Sequence, residues 1–277
     1  TWVYRVLRKG EVRVNKGRKK PDYRLKIGDV VRIPPVRRTQ KASTDPAAWL
    51  IDRVRQSILF EDDALLVINK PSGIAVHGGS GLSHGVIELL RAARPDAPFL
   101  ELAHRLDRET SGCLMLAKRR SALTRLQELQ RQGRIEKRYL ALLHGRIRGG
   151  GWRADLPLRK NTLRGGERMV RVAPEGKPAV TRFRVLRRFV EASLVEATLE
   201  TGRTHQIRVH AAAHGTPILG DPRYGDAAAN RRFRAIGLRR LFLHAATLRI
   251  PIPHGPDLTV EAPLTHELAQ LVETLDD

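Results

Sequence analysis

The chain has 277 residues, of which 41% are hydrophobic and 29% charged, with 51 Lys and Arg against 29 Asp and Glu for a net charge of +22. This composition is too apolar for a disordered chain, and the length allows one large domain, or one medium domain with a small appendage. The single cysteine, Cys113, excludes a disulfide framework and a cysteine-rich zinc site, so we expect a cytoplasmic protein.

The excess of positive charge indicates a polyanionic partner. A folded surface with this balance favours nucleic acid, and composition alone leaves RNA and DNA both open. No apolar run approaches the roughly 20 residues that cross a bilayer, and residues 1–10 lack the apolar core of a signal peptide. We therefore expect a protein that binds nucleic acid and no membrane. We also expect it to be a monomer.

The first forty residues predict a small basic module, because they hold thirteen Lys and Arg against three Asp and Glu. The spacing of Val3, Val6 and Leu7 predicts a helix, residues 11–14 a strand, residues 15–17 a turn, and residues 25–31 a turn into a second strand. We expect this module to span residues 1–35 and to be followed by a linker over residues 36–56.

Residues 57–277 predict a larger domain in which strands outnumber helices. Helices are predicted after Ser83 and over residues 119–132, the second ended by Gly133. Strands are predicted at residues 64–68, 113–117, 139–143, 180–186, 193–199, 241–250 and 258–262. This mixture indicates an α+β domain.

One polar segment, residues 104–112, precedes an apolar strand and reads HRLDRETSG. Its Asp107 has Arg105 two positions before it and Arg108 directly after it, and this positive charge favours the ionised carboxylate. Such a group can serve as a base, a nucleophile or an anchor for ion pairs. Spacing alone favours an anchor that organises a loop.

A second segment, residues 201–215, predicts a short helix with Thr204 as its N-cap and Gly215 as its end. His205 and Arg208 are three residues apart and share a face. His210 and His214 have metal-ligand spacing, but Ala211 stands where a zincin motif needs Glu, so we expect no metal. Phosphate-binding loops and serine-nucleophile elbows are also absent from the sequence, which argues against a nucleotide cofactor and serine hydrolysis.

Four ordered strings together resemble one family, the RluA-type pseudouridine synthases with an N-terminal S4-like RNA-binding module. They are DALLVINKPSG (63–73), HRLDRETSG (104–112), KRYLALLHG (137–145) and TGRTHQIRVHAAAHGTPILGDPRYG (201–225). The resemblance implies a pseudouridine synthase fold with a curved, mainly antiparallel sheet and a catalytic cleft. It also implies an isomerase that needs no cofactor and converts uridine within an RNA chain to pseudouridine.

The resemblance also assigns roles. Asp107 would be the essential carboxylate, Tyr139 would pack on the flipped uracil, Arg208 would pair with Asp107, and Arg105 would fill the gap that the extruded base leaves. Arg203, His205 and Lys70 would support the site or contact phosphate. The expected RNA-binding residues of the basic module are Arg5, Arg8, Lys9, Arg13, Lys16, Arg18 and Lys19.

The expected partner is large-subunit (23S) ribosomal RNA or a precursor of that subunit. A tRNA substrate is one alternative, and a non-catalytic ribosome-assembly factor that only binds RNA is another. An S4-like module ordinarily begins with a further helix, so we expect this sequence, which starts at Thr1 without Met, to contain only part of the module.

Overall fold

A computed structural model of the chain describes residues 2–20, 22–34, 46–78, 84–162, 168–252 and 255–276. The chain divides into two compact units, residues 1–44 and residues 45–277. The helices among the described residues are α1 (Trp2–Arg8), α2 (Ala48–Arg55), α3 (Val86–Ala92), α4 (Arg120–Arg131), α5 (Gln206–Ala213), α6 (Ala227–Ala235) and α7 (His266–Thr274).

The strands of the described residues outnumber the helices, as expected for an α+β protein. They are β1 (Arg13–Val14), β2 (Gly17–Arg18), β3 (Val31–Arg32), β4 (Ile58–Glu61), β5 (Leu65–Lys70), β6 (Glu101–Leu102), β7 (Ser111–Ala117), β8 (Glu136–His144), β9 (Gly151–Asp155), β10 (Leu158–Thr162), β11 (Arg168–Val172), β12 (Val180–Arg188), β13 (Ala192–Leu199), β14 (Leu243–Ile250) and β15 (Leu258–Glu261).

The smaller unit contains α1 and a three-stranded antiparallel sheet in the order β2-β1-β3. The predicted helix, first strand and turn are confirmed. The strand predicted within residues 25–31 is wrong except for Val31, because Asp29 holds the preceding residues in a turn. Its carboxylate accepts hydrogen bonds from the Lys26 amide, the Asn15 side chain and the Tyr23 hydroxyl, at 2.9, 2.7 and 3.1 Å.

Helix α2 falls within residues 36–56, for which the sequence predicts a linker. Val54 on this helix is fully buried in the main hydrophobic core, where Leu50 and Ile51 also pack. Residues 48–55 are therefore a packed helix of the larger unit, which corrects the prediction for that stretch. Residues 35–45 lie outside the described part of the chain.

The larger unit is built on a ten-stranded mixed sheet. Its main path runs β4-β5-β7-β14-β8-β13-β12-β9, with β15 paired to β14 and β6 paired to β7. Every pairing is antiparallel except that of β7 with β14. The predicted strands of this domain are confirmed, and so is helix α4 with Gly133 just beyond it at φ +67°.

The centre of this sheet forms the core. Strand β7 is buried along its whole length, and β5 is buried at every position except Asn69. Strands covered on both faces need continuous apolar runs, which explains the sequences LLVI and CLMLA. Because β7 begins at Ser111, this rigid strand fixes the end of the segment that carries Asp107.

Gly112 permits the one parallel pairing of the sheet. It has φ +106°, and a Cβ atom at this position would lie 2.2 Å from the carbonyl oxygen of Ala245 on β14. Only glycine allows this backbone to approach so closely. The approach of β14 to the start of β7 therefore depends on that residue.

Strands β10 and β11 form a separate antiparallel hairpin. Its base packs in a small second cluster of Leu158, Val170, Ala179 and Val209, with Tyr224 against it. Val209 belongs to α5, so this cluster attaches the hairpin to that helix. No helix within the described residues is long and apolar enough to cross a membrane.

Candidate active site

Asp107 lies in the loop between β6 and β7, with 27% of its side chain exposed. Leu106 is buried beside it, and the Thr110 amide donates a 3.2 Å hydrogen bond to the Asp107 carbonyl. The carboxylate is thus held on a short, anchored loop and remains accessible.

Lys70, at the end of β5, anchors this loop. Its side chain is fully buried, and Nζ donates to the carbonyl oxygens of Pro71, Ile74 and Arg108 at 2.8, 2.9 and 3.1 Å. Burial lowers the pKa of Lys70 to about 7. The Ser72 hydroxyl adds a 2.7 Å hydrogen bond to the Glu109 carbonyl. Residues 70–74 therefore hold the backbone that directly follows Asp107.

Arg208, on the first turn of α5, links Asp107 to a buried carboxylate. Its Nη1 lies 3.3 Å from Asp107 Oδ2, while Nε and Nη2 bind both oxygens of Asp221 at 2.7 and 2.8 Å. Asp221 also accepts hydrogen bonds from the amides of Arg223 and Tyr224. Burial opposes its ionisation, but the hydrogen bonds from Arg208 outweigh burial and lower the pKa of Asp221. The guanidinium is therefore fixed before it reaches Asp107.

His205 brings a second nitrogen to the same carboxylate. Its Nε2 lies 3.7 Å from Asp107 Oδ2, and its Nδ1 lies 2.8 Å from the Tyr224 hydroxyl. Both Arg208 and His205 therefore approach the same oxygen, Oδ2. The Asp107 side chain is still 27% exposed, so the carboxylate is accessible to a substrate.

His205 is also the N-cap of α5, in a left-handed conformation with φ +55°. The prediction that Thr204 caps this helix was wrong. No side chain caps α5 by a hydrogen bond, and Gln206 instead orders the preceding turn, because its Oε1 accepts the Arg203 amide at 3.0 Å and the Thr201 hydroxyl at 2.7 Å. The resulting turn directs His205 toward Asp107.

Tyr139 lies on β8, opposite Ala197 on β13 and Ala245 on β14. The ring is almost fully buried at 7% exposure. Burial, together with the nearby negative charge of Asp107, raises the pKa of Tyr139, so the phenol stays protonated. The ring is therefore near enough to Asp107 for the charge of that carboxylate to act on the phenol.

Arg105 is exposed, and its side chain has no hydrogen bond or ion pair within the described residues, so this side chain is free to contact a bound molecule. Arg203 is exposed, and its Nε donates to the Pro178 carbonyl at 3.1 Å.

The seven predicted RNA-binding residues of the basic module all belong to the smaller unit. They are Arg5, Arg8, Lys9, Arg13, Lys16, Arg18 and Lys19. None of these seven forms an ion pair in the described part of the chain.

Sequence reasoning missed two members of the site, Asp221 and Tyr224. Both lie in the string GDPRYG at the end of the last family motif, and this string was the signal that could have identified them. No group of three or more potential metal ligands occurs among the residues that the structure describes. The described site therefore contains two carboxylates, a guanidinium, an imidazole and two phenols.

A family model described as RNA pseudouridylate synthase matches residues 64–213, which include Asp107, Tyr139, His205 and Arg208. The chain belongs to the RNA pseudouridylate synthase family. This RNA pseudouridine synthase is therefore an isomerase, in agreement with the resemblance found in the sequence.

Curated relatives extend the match over almost the whole synthase. "Ribosomal large subunit pseudouridine synthase C" of Yersinia pestis is 55% identical over 269 residues, covering 96% of this chain and 84% of the relative. The protein of the same name from Escherichia coli strain K12 is 52% identical over 278 residues, covering 99% of this chain and 87% of the relative.

Solved structures of the family share the fold of the synthase. Human RNA Pseudouridylate Synthase Domain Containing 4 aligns with a TM-score of 0.66 and 28% identity, covering 81% of this chain and 95% of the human chain. Human RNA Pseudouridylate Synthase Domain Containing 1 aligns with a TM-score of 0.63 and 29% identity, covering 78% and 93%. The pseudouridine synthase fold with a mixed sheet and helices is thus confirmed.

Proposed function

We propose that this synthase converts uridine to pseudouridine in large-subunit ribosomal RNA, with Asp107 as its essential carboxylate. The observation that carries the substrate is the identity of 52–55% to relatives named for the large ribosomal subunit, over nearly the full chain. Such an RNA would be met in the cytoplasm. The net charge of +22 fits a large polyanionic substrate.

The geometry around Asp107 supports its proposed role. In the reaction the bond between C1′ and N1 of uridine breaks, a bond between C1′ and C5 forms, C5 loses a proton and N1 gains one. The product has the same atoms and oxidation state as the substrate, so the balance requires no cofactor. Arg208 holds Oδ2 of Asp107 through a charge-assisted contact of 3.3 Å, and the partly exposed carboxylate is accessible to the reacting nucleotide.

Tyr139 and Arg105 are the proposed partners of the flipped nucleotide. In this proposal the aromatic ring of Tyr139, which is 7% exposed in the structure without RNA, packs on the uracil. Arg105, two residues before Asp107 and without a protein partner among the described residues, can occupy the space that the base leaves in the RNA. Unstacking a base costs a few kcal/mol, so a side chain that fills the gap favours the flipped state.

We also propose that the smaller unit is an S4-like RNA-binding module. Six of its seven candidate residues are exposed, namely Arg5, Arg8, Lys9, Lys16, Arg18 and Lys19, while Arg13 is half-buried. Cations that lack ion pairs are available for phosphate oxygens. In this proposal the unit increases affinity for RNA, and the larger unit performs the chemistry.

The experiment uses large-subunit ribosomal RNA with tritium at uracil C5, because formation of the C1′–C5 bond releases that hydrogen to water. We expect the wild type to release tritium and Asp107→Asn to be slower by roughly 10³-fold or more. Asp96→Asn removes an exposed carboxylate in a turn and should match the wild type.

Three other outcomes would change the account. Release by Asp107→Asn at the wild-type rate would contradict the role of the carboxylate. Release from tRNA but not from ribosomal RNA would keep the enzyme and change the substrate. No release from either RNA, with tight binding that weakens with salt, would indicate an assembly factor.

A further inference from the structure

Two hydrogen bonds and one longer polar contact link hairpin β10–β11 to Asp107. The Val170 amide on β11 donates to the Tyr224 hydroxyl at 3.0 Å, and this hydroxyl lies 2.8 Å from His205 Nδ1. On its other side, His205 Nε2 faces Asp107 Oδ2 at 3.7 Å. This series of contacts therefore begins at a backbone donor and ends at a carboxylate.

The two ends of this series of contacts determine where the imidazole proton lies. Val170 N–H can only donate, so the Tyr224 oxygen accepts that bond and its own O–H is available for His205 Nδ1. With its proton on Nδ1 the neutral ring would turn a bare Nε2 toward the carboxylate, so the tautomer that suits both ends accepts from Tyr224 at Nδ1 and carries its proton on Nε2. Nε2–H then points at Asp107, which as a carboxylate can only accept.

The surroundings keep His205 neutral and in place. Burial lowers the pKa of His205, Asp107 and Asp221 oppose this effect, and Arg208 and Arg223 add to it. The ring meets Tyr224 edge to face, and the Arg208 guanidinium lies 5.0 Å from the centre of the Tyr224 ring. Tyr224 therefore contacts both groups that approach Asp107.

We propose that His205, oriented by Tyr224, is a positioning residue that donates from Nε2 to Asp107 Oδ2. Together with Arg208 it holds that oxygen and so fixes the orientation of the carboxylate. We expect the separation of 3.7 Å to shorten to a hydrogen bond when substrate binds, because catalytic hydrogen bonds are often long before the substrate is present. This inference rests on the proposed role of Asp107.

The first test measures the tautomer and does not depend on activity. In protein labelled with ¹⁵N-histidine, long-range proton–nitrogen spectra distinguish a protonated ring nitrogen from an unprotonated one, and His205→Gln identifies the signal. We expect Nε2–H with unprotonated Nδ1 at neutral pH, and loss of this fixed tautomer in Tyr224→Phe. A proton on Nδ1, or no change in Tyr224→Phe, would overturn the proposal.

The second test uses single-turnover tritium release with saturating RNA. Because a hydrogen bond to a charged group is lost, we expect His205→Ala to be slower by roughly 10- to 100-fold with similar RNA affinity. His205→Gln, whose amide can donate from a similar place, should recover most of this loss. His214→Ala is the matched control, since His214 lies on the far end of α5 and stacks on Trp152.

The pH profile separates positioning from a merely structural role. A second proton on His205 would give Asp107 a full ion pair and reduce its reactivity, so the wild-type rate should fall on acidification with an apparent pKa below 6.5. His205→Gln should lack this acid limb. Thermal unfolding verifies that each variant is folded.

Failure of the role proposed for His205 can be distinguished from failure of the proposed function. Active wild type with His205→Ala at the wild-type rate, or with the same acid limb in His205→Gln, would overturn the role of His205 and leave that of Asp107 intact. If the wild type releases no tritium, the proposed function fails, and the tautomer measurement alone decides whether His205 donates to Asp107.

Discussion

The ammonium group of Lys70 illustrates, at the scale of a single residue, how the site is held by groups that do not face the substrate. Its three hydrogen bonds join residues 71 and 74 to residue 108, so they connect two loops at the position next to Asp107. Three carbonyl oxygens satisfy all three donors of a lysine ammonium. Lys70 therefore holds the backbones of these two loops together.

We expect Lys70→Met to be slower in tritium release by at least about tenfold and less stable by roughly 1–3 kcal/mol. The reason is that three buried carbonyl oxygens lose their donor while the side-chain volume hardly changes. Tritium release and urea unfolding measure the two effects. Lys177→Met, at an exposed lysine, is the control. A Lys70→Met enzyme as active and stable as that control would show that the three bonds do not hold the loop.

At the scale of elements, the junction of β7 and β14 positions the loop that ends at Ser111. The strands pair as parallel neighbours at Ser111 with His244 and at Gly112 with Ala245. His244, which is fully buried, links them further through a 2.8 Å contact of Nδ1 with the Ser111 hydroxyl and a 3.0 Å contact of Nε2 with the Ala262 carbonyl. A distortion of this junction should therefore displace the loop that carries Asp107.

Gly112→Ala should reduce both stability and activity. Its methyl group would overlap the Ala245 carbonyl, so we expect a loss of roughly 3 kcal/mol or more in the free energy of unfolding, measured by urea denaturation. Gly145→Ala is the matched control, because Gly145 has a similar φ of +91° with no atom near its missing Cβ. Only the cost of the backbone conformation, about 1 kcal/mol, should appear there. Equal losses in the two variants would contradict the importance of the close approach.

The elements also show what the sequence could predict. The long apolar strands β5, β7, β8 and β14 were predictable because burial of their side chains leaves continuous or alternating apolar patterns. Strand β10 was missed, because its polar residues Arg159 and Lys160 follow a single buried Leu158. Helix α2 was missed because its weakly apolar sequence follows an irregular basic stretch.

The candidate site was predictable only in part. The family motifs indicated Asp107 and Arg208, whose contact joins positions 101 residues apart and has no local signal. Asp221 and Tyr224 were missed, because an aspartate or a tyrosine in a short loop has no pattern that reveals a buried partner. Their roles appear only when the fold brings α5 against that loop.

At the scale of the whole molecule, some of the positively charged side chains form ion pairs with Asp or Glu and others do not. On the larger unit, the outer positions of β9 and β12 carry arginines paired with acids, as in the contacts of Arg153 with Asp155 and of Arg184 with Glu196. On the smaller unit no such pair occurs among the described residues. Unpaired cations release counterions when they bind phosphates, and this release favours RNA binding.

A matched pair of double variants tests this difference. Arg8→Glu with Arg18→Glu changes the smaller unit, and Arg120→Glu with Arg134→Glu makes the same charge change at exposed positions of the larger unit. We expect the first pair to lose at least about tenfold more affinity for ribosomal RNA and to lower the slope of log K against log salt by about 2. Filter binding at several salt concentrations measures both. Equal losses would indicate that only net charge matters.

The most direct test of the central claim is a pseudouridine map of large-subunit ribosomal RNA from cells that lack this gene. The map is compared after complementation with the wild type and with Asp107→Asn. We predict that particular pseudouridines disappear without the gene, return with the wild type and stay absent with Asp107→Asn. An unchanged large-subunit map, or restoration by Asp107→Asn, would contradict the account.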